Sequence, residues 1–130
     1  MKILISNTLT RKSFDVINIL LIHFSNTELI FGFSKSEKLK MKLIYRTVNS
    51  ELLRKDENFF SDLDTISEKY KHEDIVFIPV EEETTLMFLK YINKFGERNF
   101  KFSLPDLKFF NLSRNKNELN IFCEKNEIPC

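Results

Sequence analysis

The stretch Asp74-Ile75-Val76-Phe77-Ile78-Pro79-Val80-Glu81-Glu82-Glu83 decides how the chain folds. Apolar side chains stand at successive positions from Ile75 to Ile78, bounded by Asp74 and Pro79. An unbroken apolar run of this length suits a strand covered on both faces, as in a parallel sheet. Three glutamates follow at once, and negative charge complements the positive end of a helix dipole. A doubly covered strand running straight into a helix is the repeating unit of an α/β domain.

The same alternation extends in both directions. Toward the N-terminus, Phe59, Leu63, Ile66 and Tyr70 recur at helical spacing, and Ser50 is a candidate cap for a helical turn before them. Lys42 to Tyr45 reads as a short strand and Glu28 to Phe33 as a longer one. A helix is expected from about Lys12 to Phe24, with Phe14, Ile17, Leu21 and Phe24 on its buried face. Lys2 to Ser6, with Ile3-Leu4-Ile5 at its centre, opens the chain as a second doubly covered strand.

Toward the C-terminus, Phe88, Ile92 and Phe95 form the stripe of the helix opened by the glutamates, and Gly96 is its stop. Phe100-Lys101-Phe102 and two short helices complete the order. Ser103-Leu104-Pro105 supplies the turn into the first of them, and Ser113 is the expected N-cap of the last. Strands alternating with amphipathic helices predict an open, mostly parallel, Rossmann-like α/β sheet flanked by helices, with further helices at the C-terminus.

At 130 residues the chain fits one domain with a real core. Its 20 basic and 19 acidic side chains leave a net charge of +1, so nothing draws it globally to nucleic acid or to an anionic membrane. The cluster Lys35, Lys38, Lys40 and Lys42 reads as a solvated face. No signal peptide is recognisable, and the run Ile19 to Ile22 falls far short of the roughly 20 residues that cross a membrane. Cys123 and Cys130 make no disulfide framework, so a reducing cytoplasm is the expected compartment. The 14 phenylalanines are read as core, in a chain with only 2 glycines.

Ligands of open α/β sheets bind beyond the carboxyl ends of the strands. That rule selects Ser6 to Thr10, Gly32 to Ser36, Arg46 to Asn49 and Pro79 to Thr84. The first loop, Ser6-Asn7-Thr8-Leu9-Thr10, offers hydroxyls and an amide but none of the glycines that a dinucleotide loop needs to approach a pyrophosphate. No Gly-Lys pair occurs, which excludes a Walker A loop. A receiver domain is disfavoured because Ser6, Asn7 and Thr8 stand where its acids would cluster. His23 and His72 lack metal-ligand spacing, and no nucleophile–base arrangement is present. Glu81 and Glu82 can serve either as helix-start charges or as acceptors for an ammonium or hydroxyl of a substrate. Cys123 lies on an apolar helix face and reads as a small core residue.

The segment Arg114-Asn115-Lys116 through Ile128-Pro129-Cys130 carries a further signal. An early lysine opens a helix whose buried side is Leu119, Phe122 and Cys123, and the helix runs into an Ile-Pro turn. With the opening Lys-Ile-Leu-Ile-Ser, the Asp74–Glu83 stretch and Leu104-Pro105-Asp106, this order resembles the N-terminal domain of ATP-grasp enzymes. Similarity is greatest to the carbamoyl-phosphate-synthase-like carboxylate–amine ligases. In that family an Asp-Lys pair opens the helix, and a Gly-[Ile/Val]-Pro-x-Pro turn leads into the first nucleotide-binding strand.

The resemblance implies a pre-ATP-grasp domain over residues 1–113 and a connecting helix and turn over 114–130, leading to an ATP-grasp domain that this chain lacks. It implies ATP and magnesium as cofactors of the complete enzyme, an acyl phosphate intermediate, and small-molecule carboxylate and amine substrates. Lys116 takes the place of the lysine that reaches the nucleotide, and Asn7, Thr8, Glu81 and Glu82 would face substrate. No catalytic residue and no metal ligand is expected in these residues, which alone should be inactive. Three positions depart from the pattern: Asn115 replaces Asp, Glu127 replaces Gly, and the first loop lacks glycine. The alternative is a standalone Rossmann-like binding or interaction module. Leu119, Ile121, Phe122 and Ile128 would be shared with the next domain; without it, the last helix should be mobile or packed on a second copy, making a homodimer the candidate assembly.

Overall fold

A computed structural model of the chain describes residues 1–34, 40 and 49–129. Among them the order is β1 (Lys2–Ile5), α1 (Arg11–His23), β2 (Leu29–Phe33), β3 (Ser50–Leu52), α2 (Phe59–Lys69) and β4 (Ile75–Ile78), followed by α3 (Glu82–Phe95), β5 (Phe100–Lys101), α4 (Leu107–Arg114) and α5 (Lys116–Lys125). The expected strand at Lys42–Tyr45 lies outside the described residues, as do Lys35, Lys38, Lys42 and Cys130.

The strands form one five-stranded sheet in the order β3-β2-β1-β4-β5, and every neighbouring pair is parallel. Chain direction across the sheet reverses at β1: it steps out through β2 and β3, then returns to β4 and β5 on the other side. This is the Rossmann-like α/β arrangement that the alternation predicts. Strand side chains alternate between faces. In register with β1, Leu4 sits beside Ile30 and Phe77, while Ile3 and Ile5 sit beside Leu29, Phe31, Val76 and Ile78.

Two cores result. One joins Leu4, Ile30, Ile75, Phe77 and Phe100 to Phe59, Leu63 and Ile66 of α2 and to Phe88 and Tyr91 of α3. Phe88 stacks on Phe77 with ring centroids 3.9 Å apart, and meets the edges of Phe100 and Phe102 at 5.6 and 5.2 Å. The other joins Ile3, Ile5, Leu29, Phe31 and Phe33 to Ile17 of α1, with Leu20 and Phe24 partly buried against it. Gly32 is required by close approach: a Cβ there would lie 2.9 Å from the Ile5 carbonyl oxygen and 3.1 Å from Leu53 Cδ2.

The structure corrects several expectations. Ser50 does not cap a helical turn; it opens β3, opposite Phe31, because residues 50–52 complete the parallel ladder. On α1 the phase is shifted: Ser13 and Ile17 are buried and Leu20 packs inward, whereas Leu21 is exposed. Capping by Thr10, whose hydroxyl accepts from the Ser13 N–H at 3.2 Å, starts the helix at Arg11 and turns Ser13 inward. On α3, Tyr91 is fully buried while Phe95 lies at the surface. Ser113 is inside α4, its hydroxyl donating to the Phe110 carbonyl at 2.7 Å, and Asn115 caps the last helix instead. Gly96 does end α3, with φ of 82° and its N–H on the Ile92 carbonyl at 2.8 Å.

Candidate functional site

The reversal of strand order puts the carboxyl ends of β1 and β4 side by side, the position where open α/β sheets bind ligands. Ser6 stitches these ends together. Its N–H donates to the Ile78 carbonyl at 3.2 Å, its hydroxyl accepts from the Val80 N–H at 3.1 Å, and that hydroxyl lies 3.2 Å from Thr84 Oγ1. Thr8, also buried, donates its hydroxyl to the Gly32 carbonyl at 2.8 Å and so ties the first loop to β2.

Asn7 stands between them in the left-handed conformation, with φ of 52°. Asparagine tolerates this region better than most residues, and here it makes the sharp turn that glycine makes in other loops. Its carbonyl accepts from the Ser13 hydroxyl, and its Nδ2 is buried without a hydrogen-bond partner among the described residues. Because Thr10 caps α1, the helix start is closed by the chain's own hydroxyl rather than left as an open phosphate cradle.

The acidic run after β4 is neutralised from two directions. Glu81 is the residue before α3; its carboxylate meets Lys55 Nζ at 3.0 Å, and Glu83 lies 3.9 Å from the same ammonium. Glu82 pairs with Nε of Arg114, the last residue of α4. The Glu81 carbonyl also takes hydrogen bonds from the hydroxyls of Thr84 and Thr85, at 3.1 and 2.8 Å.

Lys116 is the first residue of α5, exposed, and makes no ion pair with a described residue. Asn115 before it accepts from the N–H groups of Asn117 and Glu118 at 3.2 and 3.3 Å. The amide thus caps the start of α5. Asn7 and Thr8 stand at the end of β1, Glu81 and Glu82 at the end of β4, and Lys116 two residues beyond the arginine bound to Glu82. Asn7, Thr8, Glu81 and Glu82 thus stand at the carboxyl ends of neighbouring strands, and Lys116 is linked to them along the chain through Arg114. Lys55 and Arg114, which pair with Glu81 and Glu82, are not recognisable in the sequence, since each meets its partner across a long span of chain, whereas Thr84 lies inside the Pro79–Thr84 loop that the strand-end rule selects.

Among the described residues no three His, Cys, Asp or Glu side chains gather where a metal could be held, so they do not fit a magnesium site. Toward a nucleotide the chain offers the ammonium of Lys116, without an ion-pair partner among the described residues, and a first loop that has no glycine to cradle phosphates. His23 and His72 are exposed and far apart in the chain. No helix among the described residues is long and apolar enough to cross a membrane.

Around the last helix, Cys123 is buried and Leu119 and Phe122 are half-buried, while Ile121 and Ile128 are exposed. Phe109 and Phe122 meet edge to face in a groove of about 460 Å3 between α4 and α5. The 113/114 boundary drawn from sequence falls in the last turn of α4, one residue before the break at Asn115. No protein-family model, curated protein or solved structure matches the chain, which leaves the reading of this edge to the chemistry of its residues.

Proposed function

We propose that the chain is the N-terminal domain of an ATP-grasp ligase of the carbamoyl-phosphate-synthase-like, carboxylate–amine group, forming one wall of a substrate cleft in the cytoplasm. The observation that carries this reading is the backbone at Glu127. This residue, which stands where the family's turn has glycine, adopts the left-handed conformation with φ of 55°. The Ile128 N–H reaches back to the Cys123 carbonyl at 2.9 Å, closing α5 as glycine-terminated helices are closed. A glutamate held in a glycine's conformation indicates that the turn is needed, since a non-glycine residue there costs about 1–3 kcal/mol.

In this reading Lys116 meets phosphate oxygens as a mobile point charge. Asn7, Thr8, Glu81 and Glu82 border the small carboxylate and amine substrates. ATP and magnesium are held mainly by an ATP-grasp domain following Cys130, and the acyl phosphate forms there. Residues 1–130 alone are inactive. One observation favours the second reading, a standalone binding or interaction module: Glu81 and Glu82 are already paired within the chain.

The test is calorimetry with ATP and magnesium on the natural full-length polypeptide, its Lys116→Ala variant, and residues 1–130. Micromolar binding by the full-length form is expected, weakened about tenfold by the loss of one charge-assisted contact, with none by residues 1–130. Micromolar binding to residues 1–130 alone, or full indifference to Lys116→Ala, would overturn the proposal. A natural polypeptide that ends at Cys130 would favour the standalone module.

A further inference from the structure

We infer that Glu82 is a positioning residue for Lys116, acting through Arg114; the inference rests on the nucleotide-facing role proposed for that lysine. α4 and α5 are joined by a single residue. Asn115 ends one helix, its N–H on the Leu112 carbonyl at 3.2 Å, and starts the other through its side chain. α5 packs chiefly on α4, and α4 on α3. The direction of α5, and so the reach of Lys116, is therefore set by how α4 is seated.

At its N-terminal end that seat is open: a cleft of about 380 Å3 lies between Ile92 and Asn93 of α3 and Leu107 and Lys108 of α4. At the corner itself Arg114 is held twice: its guanidinium lies 5.9 Å from the centre of the Phe110 ring, and its Nε pairs with Glu82. Glu82 is the first residue of α3, directly after the loop that leaves β4. The pair thus ties the α4–α5 corner to the strand ends. Lys116 begins no more than about 7 Å along the chain from Arg114, close enough for the pair to decide which side of the edge its ammonium serves.

Glu82 also stands among the residues that border substrate, so the pair connects the substrate side of the edge to the nucleotide side. Both partners are exposed, which limits the effect to a few-fold change and not to an all-or-none switch.

Two measurements on Glu82→Gln, Arg114→Gln and the exchanged pair Glu82→Arg/Arg114→Glu test the inference. In residues 1–130, each single change is expected to speed amide exchange at Asn117 and Glu118 by about threefold to fivefold, and the exchanged pair to restore it. In the full-length polypeptide, the same singles should weaken magnesium–ATP binding by a similar factor, again restored by the exchange, with melting temperature unchanged. Unchanged exchange in both singles overturns the tie. Nucleotide binding that Lys116→Ala weakens but Glu82→Gln leaves intact overturns the positioning role alone. A full-length polypeptide that binds no nucleotide in any form overturns this inference together with the ligase reading, even where the exchange data show the tie.

Discussion

Under α2 and α3 the sheet is sealed by rings, with Phe59, Phe77, Phe88, Tyr91 and Phe100 all buried. Under α1 the buried side chains are mainly aliphatic, with Phe31 and Phe33 among them, while Ile19, Leu21 and Ile22 of the same helix remain exposed. Both sides are apolar in sequence; only one uses most of what it has. Aromatic side chains bury the most area each and gain further from edge-to-face contacts. The α2/α3 side should therefore hold most of the domain's stability, and the α1 side should tolerate change.

The largest expected effect tests this directly. Phe88 is fully buried and touches the rings of Phe77, Phe100 and Phe102. Phe88→Ala should cost about 3–5 kcal/mol in denaturant unfolding. Leu20→Ala, at the half-buried edge of the other core, should cost about 1 kcal/mol, in proportion to the smaller area it covers. Equal costs would mean that the two sides are equivalent and that ring packing is not what distinguishes them.

A smaller effect comes from Tyr91, a phenol buried in the aromatic core. Tyr91 donates its hydroxyl to Asp64 Oδ1 at 2.6 Å, and burial first, then that hydrogen bond, pushes its pKa well above the ordinary value. The folded state thus keeps the phenolic proton longer than the unfolded state does. Its stabilising contribution is complete below about pH 10, where an unfolded tyrosine titrates, and is lost as pH rises through the folded value. Tyr91→Phe should cost about 0.5–1.5 kcal/mol at neutral pH and flatten the fall in stability at alkaline pH. An unaltered alkaline limb would show that Tyr91 does not titrate with unfolding.

The two sides also differed in how readily the sequence revealed them. Phe59, Leu63 and Ile66 share a face because the intervening residues of α2 are mostly polar, so periodicity fixes its phase. In α1 the run Ile17-Asn18-Ile19-Leu20-Leu21-Ile22 places apolar residues all round the helix, and no phase is preferred. Packing chose Ile17 and Leu20, with Ser13 satisfied against Asn7 and Thr10. The mostly parallel sheet was legible in the unbroken runs Ile3–Ile5 and Ile75–Ile78, whereas the order of its strands emerged only in the structure. The ion pairs that complete the site, Lys55 with Glu81 and Arg114 with Glu82, join residues 26 and 32 positions apart, and no local spacing encodes them.

The smallest expected effect probes the outer face of α1. Ile22 is 75% exposed, in the last turn of the helix, where a cation is favoured by the dipole. If that face meets only water, Ile22→Lys removes no contact, and the change in stability should stay within about 0.5 kcal/mol. Sedimentation of the variant and the parent should then give the same mass. A loss well beyond that figure, or a fall in mass on substitution, would mean that a second copy covers Ile19 and Ile22 in solution. The weaker side of the sheet would then be completed between chains rather than within one, and the contrast between its two faces would belong to the monomer only.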